Sequence, residues 1–218
     1  MSQSSKRVVK REVGRRKRIT RIPPPRQIVN KVSYRLSRIL VLLMLPKNGT
    51  HVEVGDWEGA MAARTYRLLR PRKLFLVDPW QYQPDRGGLY GKRAKGQEKL
   101  DRVHQHVVSR FARQIARGRI EVVRSESSPF AASFEGQIDS AYIDGDHRYE
   151  GVLADLEAYW GLLRAGGALA GDDYKTYSAE WWDDGPERAI DEFARSHPQQ
   201  CRLRVIGSQF ILSKSDDA

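Results

Sequence analysis

Two acidic segments of the chain have the residue types that bind a metal ion and move a proton. Residues 144–147 read Asp-Gly-Asp-His, and residues 172–173 are a second pair of acids. Each segment follows a short apolar run that predicts a buried strand. Crowded carboxylates repel one another, and a bound cation relieves that repulsion. Oxygen ligands suit hard divalent cations such as Mg²⁺, Mn²⁺ and Ca²⁺ better than zinc. We therefore predict a metal site formed by Asp144, Asp172 and Asp173, with Mg²⁺ as the preferred ion.

The first segment also contains two candidates for a general base. His147 has an unperturbed pKa of about 6.5, which suits proton removal near neutral pH, and Asp146 competes for the same role. Asp144 would take part in catalysis through the metal, which holds and acidifies a substrate hydroxyl. Simpler interpretations stay open, because Asp-Gly-Asp is common turn chemistry, a lone histidine can be a solvated loop residue, and paired aspartates can cap a helix.

A glycine-containing turn and a more distant acid predict a nucleoside-bearing ligand. Gly55 and Gly59 flank the turn after the first predicted strand, where glycine lets the backbone approach a ligand closely. Trp57 stands where the dinucleotide fingerprint has its middle glycine, so a phosphate-free ligand such as S-adenosylmethionine fits better than a pyrophosphate. Asp78 ends the second strand, where an acid can accept hydrogen bonds from ribose hydroxyls. The glycine turn alone would favour a simple strand–helix turn, and the acid alone would favour a helix cap. The two together, at the ends of the first and second strands, favour a bound cofactor.

The elements that must position these residues alternate along the chain. Strands are predicted at 51–55, 73–77, 120–123, 138–143, 168–171, 202–206 and 209–213. Helices are predicted at 58–69, 97–117, 128–134, 149–163 and 186–197. This alternation implies a parallel sheet covered on both faces, and Gly207-Ser208 marks a final hairpin. The fold class is therefore α/β, a doubly wound, seven-stranded and mostly parallel sheet with a C-terminal antiparallel hairpin.

The N-terminal region differs from the rest in charge. The first 38 of the 218 residues carry 13 Lys and Arg and one acid, whereas the remainder is close to neutral. We predict that residues 1–25 form a basic, flexible arm, which either contacts nucleic acid or an anionic membrane surface or is a soluble tail. Residues 26–46 predict an amphipathic helix, interpreted as a cap packed over the cofactor cleft rather than a membrane anchor. Residues 47–218 are predicted to form one domain. The apolar positions at helical spacing are Ile28, Val29, Val32, Leu36, Ile39, Leu40 and Leu43.

Composition limits the class of protein further. The single cysteine, Cys201, cannot form a disulfide within the chain, so a reducing cytoplasm is the expected location. The longest apolar run has seven residues, 39–45, which is far shorter than a transmembrane helix requires. The basic N-terminus leads into prolines and not into an apolar segment, so it does not resemble a secretory signal.

Several of these segments together resemble the class I S-adenosylmethionine-dependent methyltransferases. They are residues 52–59, Asp78, residues 143–147 and residues 164–174. The resemblance spans residues 50–213 and is greatest to the branch that holds catechol O-methyltransferase and the metal-dependent sugar O-methyltransferases of macrolide and aminocoumarin pathways. Its most specific element is Asp144 followed by acids 28 and 29 residues later.

The resemblance implies a Rossmann-like methyltransferase fold, S-adenosylmethionine as cofactor and an assisting divalent metal. It implies that Glu53 and Gly55 line the methionine portion of the cofactor and that Ser125 and Glu126 border the adenine. His147 stands where the catechol enzymes have a basic lysine, a departure that fits the sugar-modifying branch better and leaves the base open. The predicted cofactor-binding residues are Glu53, Gly55, Asp56, Trp57, Gly59, Asp78, Ser125, Glu126 and Asp144.

Two aromatic loops could form a pocket for the acceptor. Aromatic faces beside carboxylates suit a sugar or polyol, although the same side chains could pack the loops or join copies of the chain in a homo-oligomer. We therefore expect O-methylation of a hydroxyl on a sugar or glycosylated small molecule. The alternatives are RNA methylation guided by the arm, and a non-catalytic binding protein with the same fold. The candidate acceptor residues are Tyr82, Tyr90, Tyr174, Tyr177, Trp181 and Trp182.

Overall fold

A computed structural model of the chain describes residues 25–85, 88–175 and 184–216. Its helices are α1 (Pro25–Met44), α2 (Ala60–Leu69), α3 (Gln97–Arg110), α4 (Ala112–Ala116), α5 (Ser127–Ser133), α6 (Tyr149–Leu162) and α7 (Gly185–Ser196). Its strands are β1 (Thr50–Val54), β2 (Lys73–Asp78), β3 (Ile120–Arg124), β4 (Ile138–Ile143), β5 (Leu163–Gly171), β6 (Cys201–Ile206) and β7 (Gln209–Lys214). The predicted alternation of strands and helices is confirmed.

The seven strands form one sheet in the order β3-β2-β1-β4-β5-β7-β6. Neighbouring strands from β3 to β5 are parallel, whereas β7 runs antiparallel to both β5 and β6. The predicted fold class is therefore confirmed, including the closing hairpin. The strand order reverses between β1 and β4, and sheets of this kind bind ligands beyond the carboxyl ends of the strands at such a reversal.

The carboxyl ends of four adjacent strands bring the predicted acids to one edge of the sheet. Backbone bonds fix the level of these ends, because the Asp144 amide donates to the Val54 carbonyl at 2.9 Å and the Asp172 amide donates to the Ile143 carbonyl at 3.3 Å. The spacing of acids at strand ends thus predicted a real spatial grouping. The acids gathered there are Glu53, Asp78, Asp144 and Asp172.

Both faces of the sheet are buried under helices. Successive strand residues point to opposite faces, so in β4 the side chains of Ala141 and Ile143 pack against α5, α6 and α7. Tyr142, between them, packs on the other face against α1 and α2. Further along that second face, Leu74 and Leu76 of β2 pack against α3. The carboxyl edge is thus held between two helical layers.

Several element boundaries differ from the sequence-based expectation, and three of the differences involve a change in backbone geometry or register. The helix expected from residue 58 begins at Ala60, because Gly59 has a left-handed φ of 75°. The helix expected at 97–117 divides into α3 and α4 at the buried Phe111, whose φ of −105° and ψ of 14° interrupt regular geometry. The strand expected at 168–171 begins earlier, at Leu163, and pairs with β4 through a register shift.

The apolar face of α1 that the sequence pattern emphasises points outward. Leu36, Leu40 and Leu43 are 52%, 41% and 46% exposed. The opposite face packs on the sheet instead, through Val41 and Leu42, which are fully buried. That buried face also carries a serine and an arginine, which masked it in the sequence pattern. Among the helices that the structure describes, none is long and apolar enough to cross a membrane.

Candidate functional site

A cavity of about 170 Å³ opens where β1, β2 and β4 end. Five residues predicted to bind cofactor or substrate, or to act in catalysis, line it, and so do several that the sequence did not single out. The predicted ones are Gly55, Asp78, Tyr90, Glu126 and Asp146. The others include Gln83, Ser127, Ser128, Gly151, Ala154 and Asp155. The position of the cavity matches the ligand site expected at the strand-order reversal.

The turn after β1 depends on Gly55. Its φ is 82°, and a Cβ placed there would lie 2.1 Å from the Asp144 carbonyl oxygen. Because the end of β1 lies so close to the end of β4, no side chain fits at position 55. The absence of a side chain there also leaves space for a ligand. Gly59 is required for a different reason, because a Cβ there would meet the Phe111 ring at 2.8 Å.

We expect Gly55→Ala to lower the free energy of unfolding by about 3 kcal/mol, because the new methyl group meets a backbone atom that cannot move aside cheaply. Urea denaturation followed by tryptophan fluorescence would measure the loss. Gly118→Ala is the matched control, since Gly118 also has a positive φ, 65°, but nothing within 4 Å of its Cβ position. That control should cost only the left-handed backbone strain, about 1 kcal/mol. Equal losses in both variants would show that the close approach is not what requires Gly55.

Asp78, predicted to hold the ribose, is fully buried. Its carboxylate accepts hydrogen bonds from the amides of Trp57 at 3.1 Å and Trp80 at 2.8 Å, and from the Tyr90 hydroxyl. Burial raises its pKa, while these three hydrogen bonds act in the opposite direction. The chain thus supplies Asp78 with donors of its own, and the Tyr90 hydroxyl is the side-chain donor that a ribose hydroxyl could displace.

Asp78→Ala should weaken S-adenosylmethionine binding by about 1–3 kcal/mol, the usual effect of removing a buried hydrogen-bonding carboxylate. Isothermal titration calorimetry with S-adenosylmethionine and with S-adenosylhomocysteine would measure the change. Tyr90→Phe is the control, because it removes the competing donor and leaves the carboxylate in place. An unchanged dissociation constant in Asp78→Ala would mean that the ribose lies elsewhere.

Glu53 and Asp56 form a pair of buried carboxyl groups next to Gly55 in sequence. They are 1% and 4% exposed, and no donor of another residue in the described structure bonds Glu53 Oε1 or either Asp56 oxygen, although the two carboxyl groups contact each other. Glu53 Oε2 accepts from the Thr65 hydroxyl at 3.0 Å. Burial raises the pKa of Asp56 to about 7, and burial together with Asp56 raises that of Glu53 well above its ordinary value. Neither residue is among those that line the cavity, so the pair lies behind the Gly55 turn, where a cation close by would favour its ionised form.

Two further residues of the predicted cofactor set contact protein instead of the cavity. The Trp57 ring packs in the cluster beside α3 and meets the Tyr90 ring edge-on at 5.3 Å. Ser125 donates its hydroxyl to the Glu126 carbonyl at 2.9 Å, and its amide bonds to β2. Glu126 lines the cavity itself. The Trp57 side chain thus gives no direct information on whether a pyrophosphate would fit.

The carboxylate of Asp172, predicted to be a metal ligand, is already occupied by the chain. Oδ2 accepts from the Tyr34 hydroxyl at 2.5 Å and from Arg38 Nε at 2.9 Å. Oδ1 accepts from the Ser208 hydroxyl at 2.8 Å, from Gln209 and from the amide of Asp173, also at 2.8 Å. Through these bonds Asp172 anchors α1 and the hairpin. It also holds the amide of Asp173, whose φ of 64° is left-handed.

A different trio forms the group of potential metal ligands. One donor atom each from Asp144, His147 and Asp173 lie within 4.8 Å of one another, and His147 Nε2 is 3.4 Å from Asp173 Oδ2. Two carboxylates and an imidazole are a fitting donor set for a divalent cation. Burial raises the pKa of Asp144 well above its ordinary value, although Arg38, whose guanidinium lies 2.9 Å from it, acts in the opposite direction.

The two predicted bases have different surroundings. Asp146 lines the cavity and accepts from Arg148 Nε at 3.0 Å and from its Nη2 at 2.5 Å. His147 belongs to the trio beside the cavity and lies against Asp173. The single turn 144–147 therefore joins the cavity to the carboxylate cluster.

The aromatic residues predicted to bind the acceptor divide into three groups. Tyr90 lines the cavity. Tyr82 packs beside α3, and Tyr174 is buried in the core with its hydroxyl 2.9 Å from Asp191. The side chains of these two residues pack their loops onto the domain, which was the alternative to acceptor binding. Tyr177, Trp181 and Trp182 lie outside the described residues.

Asp155 of α6 is a cavity residue that sequence reasoning missed. It is 4% exposed and shares the buried face of α6 with Val152, Leu156 and Tyr159. An acid on an otherwise apolar helix face was the available clue. Burial raises its pKa to about 6, against the effect of a hydrogen bond from Ser127.

We expect Asp155→Asn to raise the free energy of unfolding at neutral pH. A carboxyl pKa raised in the folded state stabilises the fold only while the group is protonated, so the wild-type protein loses stability as pH rises from about 4 to about 6. The asparagine variant should escape that loss and be about 1–3 kcal/mol more stable at pH 7. Urea denaturation at acidic and neutral pH tests this. A difference between the two proteins that does not change with pH would show that Asp155 ionises normally.

Comparisons with known proteins identify the family and the fold of the chain. Residues 52–174 match a family described as "Methyltransferase domain". An uncharacterised protein of Acanthamoeba polyphaga mimivirus is 27% identical over 128 residues, which are 59% of this chain and 52% of that protein. The match thus spans about half the length of the viral relative.

Solved structures with the same fold include a putative rRNA methylase from Clostridium thermocellum, with a TM-score of 0.58, 13% identity and coverage of 84% of this chain and 96% of that one. A putative methyltransferase from Streptococcus mutans in complex with SAH has a TM-score of 0.55, 15% identity and coverage of 84% and 97%. The O-methyltransferase NovP has a TM-score of 0.52, 18% identity and coverage of 86% and 79%.

The family match includes the Gly55 turn, Asp78, the 144–147 turn and both acids at 172–173, and it covers more than half of the chain. The chain therefore belongs to the methyltransferase-domain family and has the fold of the class I S-adenosylmethionine-dependent methyltransferases.

Proposed function

We propose that this chain transfers the methyl group of S-adenosylmethionine to a hydroxyl oxygen of a sugar or glycosylated small molecule, with the assistance of a divalent metal. The observation that carries the proposal is the turn 144–147. Asp146 lines the ligand cavity, while Asp144 and His147 belong to the neighbouring carboxylate trio. A methyl donor in the cavity and a hydroxyl at the trio would therefore meet across one turn.

In this proposal the residues of the chain bind both reactants and remove one proton. Asp78 holds the ribose, the carboxyl pair of Glu53 and Asp56 attracts the ammonium group, and Glu126 borders the adenine. His147 or Asp146 takes the proton of the acceptor hydroxyl. The hydroxyl oxygen forms a bond to the methyl carbon as the bond from that carbon to sulfur breaks, and S-adenosylhomocysteine leaves.

The residues that would hold a metal are Asp144, His147 and Asp173, with the occupied Asp172 as support. A bound cation would lower the pKa of the acceptor hydroxyl and fix its position. Because an imidazole joins the two carboxylates, Mn²⁺ should compete well with the Mg²⁺ expected from the sequence. If His147 is a ligand, Asp146 is the residue left to act as base.

The acids of the cavity and of the neighbouring trio, where the acceptor would bind, favour an uncharged acceptor over RNA. Among the described residues that line it, four are acids, Asp78, Glu126, Asp146 and Asp155, and none is Lys or Arg. A phosphate backbone approaching this edge would be repelled, whereas sugar hydroxyls can donate hydrogen bonds to carboxylates. RNA methylation guided by the N-terminal arm is the competing proposal, supported by the positive charge of residues 1–38.

Calorimetry with S-adenosylmethionine, with EDTA and then with Mg²⁺ or Mn²⁺, tests the first part of the proposal. Release of S-adenosylhomocysteine in the presence of glycosylated small molecules tests the second. Lack of cofactor binding would exclude methyl transfer, and turnover unaffected by EDTA would remove the metal. Methylation of an RNA transcript that is lost when residues 1–24 are deleted would favour the competing proposal.

A further inference from the structure

The outer face of α1 is an exposed apolar surface. The side chains of Leu36, Ile39, Leu40, Leu43 and Met44 are between 36% and 52% exposed. At 100° per residue all five lie on one side of the helix, opposite Val41 and Leu42. Isolated exposed leucines are ordinary, but a continuous row on one helix face indicates a contact surface.

Positive charge surrounds this face. Arg35 and Lys47, at either side of the row in sequence, are exposed. In β6, Arg202 and Arg204 are exposed and alternate with Leu203, so they point to the same sheet face as Ile206, which packs in the α1 cluster. The 24 residues that precede α1 in the sequence add nine Lys and Arg against one acid.

An apolar helix face bordered by cations is the arrangement of helices that lie in the plane of an anionic bilayer. A second copy of the chain would also cover leucines. Such pairing would, however, bring two strongly basic N-terminal segments and two pairs of strand arginines towards each other. An anionic bilayer can bury the apolar row and pair its headgroups with the surrounding basic residues. The charge therefore favours lipid over a second copy as the occupant.

We propose that the outer face of α1 docks on anionic lipid bilayers, with its leucines in the interface and the neighbouring basic residues on lipid headgroups. The proposal departs from the sequence-based interpretation of α1 as a cap packed over the cofactor cleft rather than a membrane anchor. The inner face of the same helix contacts the candidate site, since Arg38 bonds both Asp144 and Asp172. Docking would therefore hold the candidate active site close to the membrane surface. The proposal does not depend on which acceptor is methylated.

Co-sedimentation of the full chain with vesicles tests the proposal. Vesicles of phosphatidylcholine alone are compared with vesicles that also contain phosphatidylserine. The wild-type chain should bind the anionic vesicles and release them at high salt. The double variant Leu40→Gln with Leu43→Gln should bind at least about tenfold more weakly. Its thermal unfolding should stay unchanged, because both side chains are already exposed.

Val108→Gln is the matched control, since Val108 is an exposed apolar residue, 37% accessible, on α3. It should bind vesicles as the wild type does. Undiminished vesicle binding by the double variant would overturn the proposal and assign any binding to the basic segment alone. Failure of the wild type to bind vesicles, together with a dimer in analytical ultracentrifugation that the double variant loses, would overturn it in favour of a second copy.

Discussion

The variant Asp144→Ala should lose divalent metal binding and methyl transfer while it largely keeps its affinity for the cofactor product, because Asp144, although predicted to contact the cofactor, is not among the residues that line the cavity. Mn²⁺ affinity should fall at least about 100-fold, since even residues that only orient metal ligands contribute 10–100-fold. Transfer should fall at least about 100-fold, because the loss of a bound cation removes several kcal/mol of stabilisation. Calorimetry with Mn²⁺ and with S-adenosylhomocysteine gives both affinities without an acceptor, and a turnover assay gives the rate.

The expectation follows from the position of Asp144 at the junction of the two half-sites. It is a member of the trio with His147 and Asp173, and its amide is tied to β1. The backbone bond survives the substitution, so the cavity wall should not move. Asp184→Ala is a matched control, because it removes an aspartate whose side chain is half exposed and pairs with Arg188 at 3.4 Å. Full Mn²⁺ binding by Asp144→Ala would remove this cluster from the mechanism.

The grouping of the acids could be predicted from sequence because it depends on topology alone. In a parallel sheet the carboxyl ends of strands share an edge, so Asp78, Asp144 and Asp172 had to lie there once the strands were recognised. The direction of each side chain could not be predicted in this way. Asp172 and Asp173 are adjacent, yet one faces Arg38 and the other faces His147, and Asp173 adopts a left-handed φ that the sequence does not reveal.

The role of α1 was the largest part that the sequence could not supply. Its two long faces are both rich in apolar residues, and hydrophobic spacing favours the face without polar side chains. The face that packs is the other one, because Arg38 and Tyr34 find carboxylate partners that are more than 100 residues away in the chain. Such a choice depends on tertiary contacts that a local pattern does not contain. Asp155 of α6 is a second example, because its position on the cavity wall also depends on tertiary contacts.

The second large effect is expected from Arg38→Met, which should lower the free energy of unfolding by about 3–5 kcal/mol. The guanidinium lies between Asp144 and Asp172 and bonds both. Methionine keeps much of the apolar stem but leaves the Asp172 side chain, which is only 1% exposed, without its cation. Urea denaturation measures the loss. Mn²⁺ should then raise the melting temperature of the variant more than that of the wild type, because a cation competing for Asp144 has gone.

A double-mutant cycle separates the lost charge from lost packing. If the uncompensated carboxylate is the cause, Arg38→Met combined with Asp172→Asn should regain a large part of the stability lost by Arg38→Met alone. Arg38→Lys retains the charge but not the forked geometry, so its loss should be smaller, about 1–2 kcal/mol. Additive losses in the double variant would contradict this account. They would mean that α1 is held by its buried apolar residues, and that the arginine bridging the candidate metal ligands does not stabilise the site.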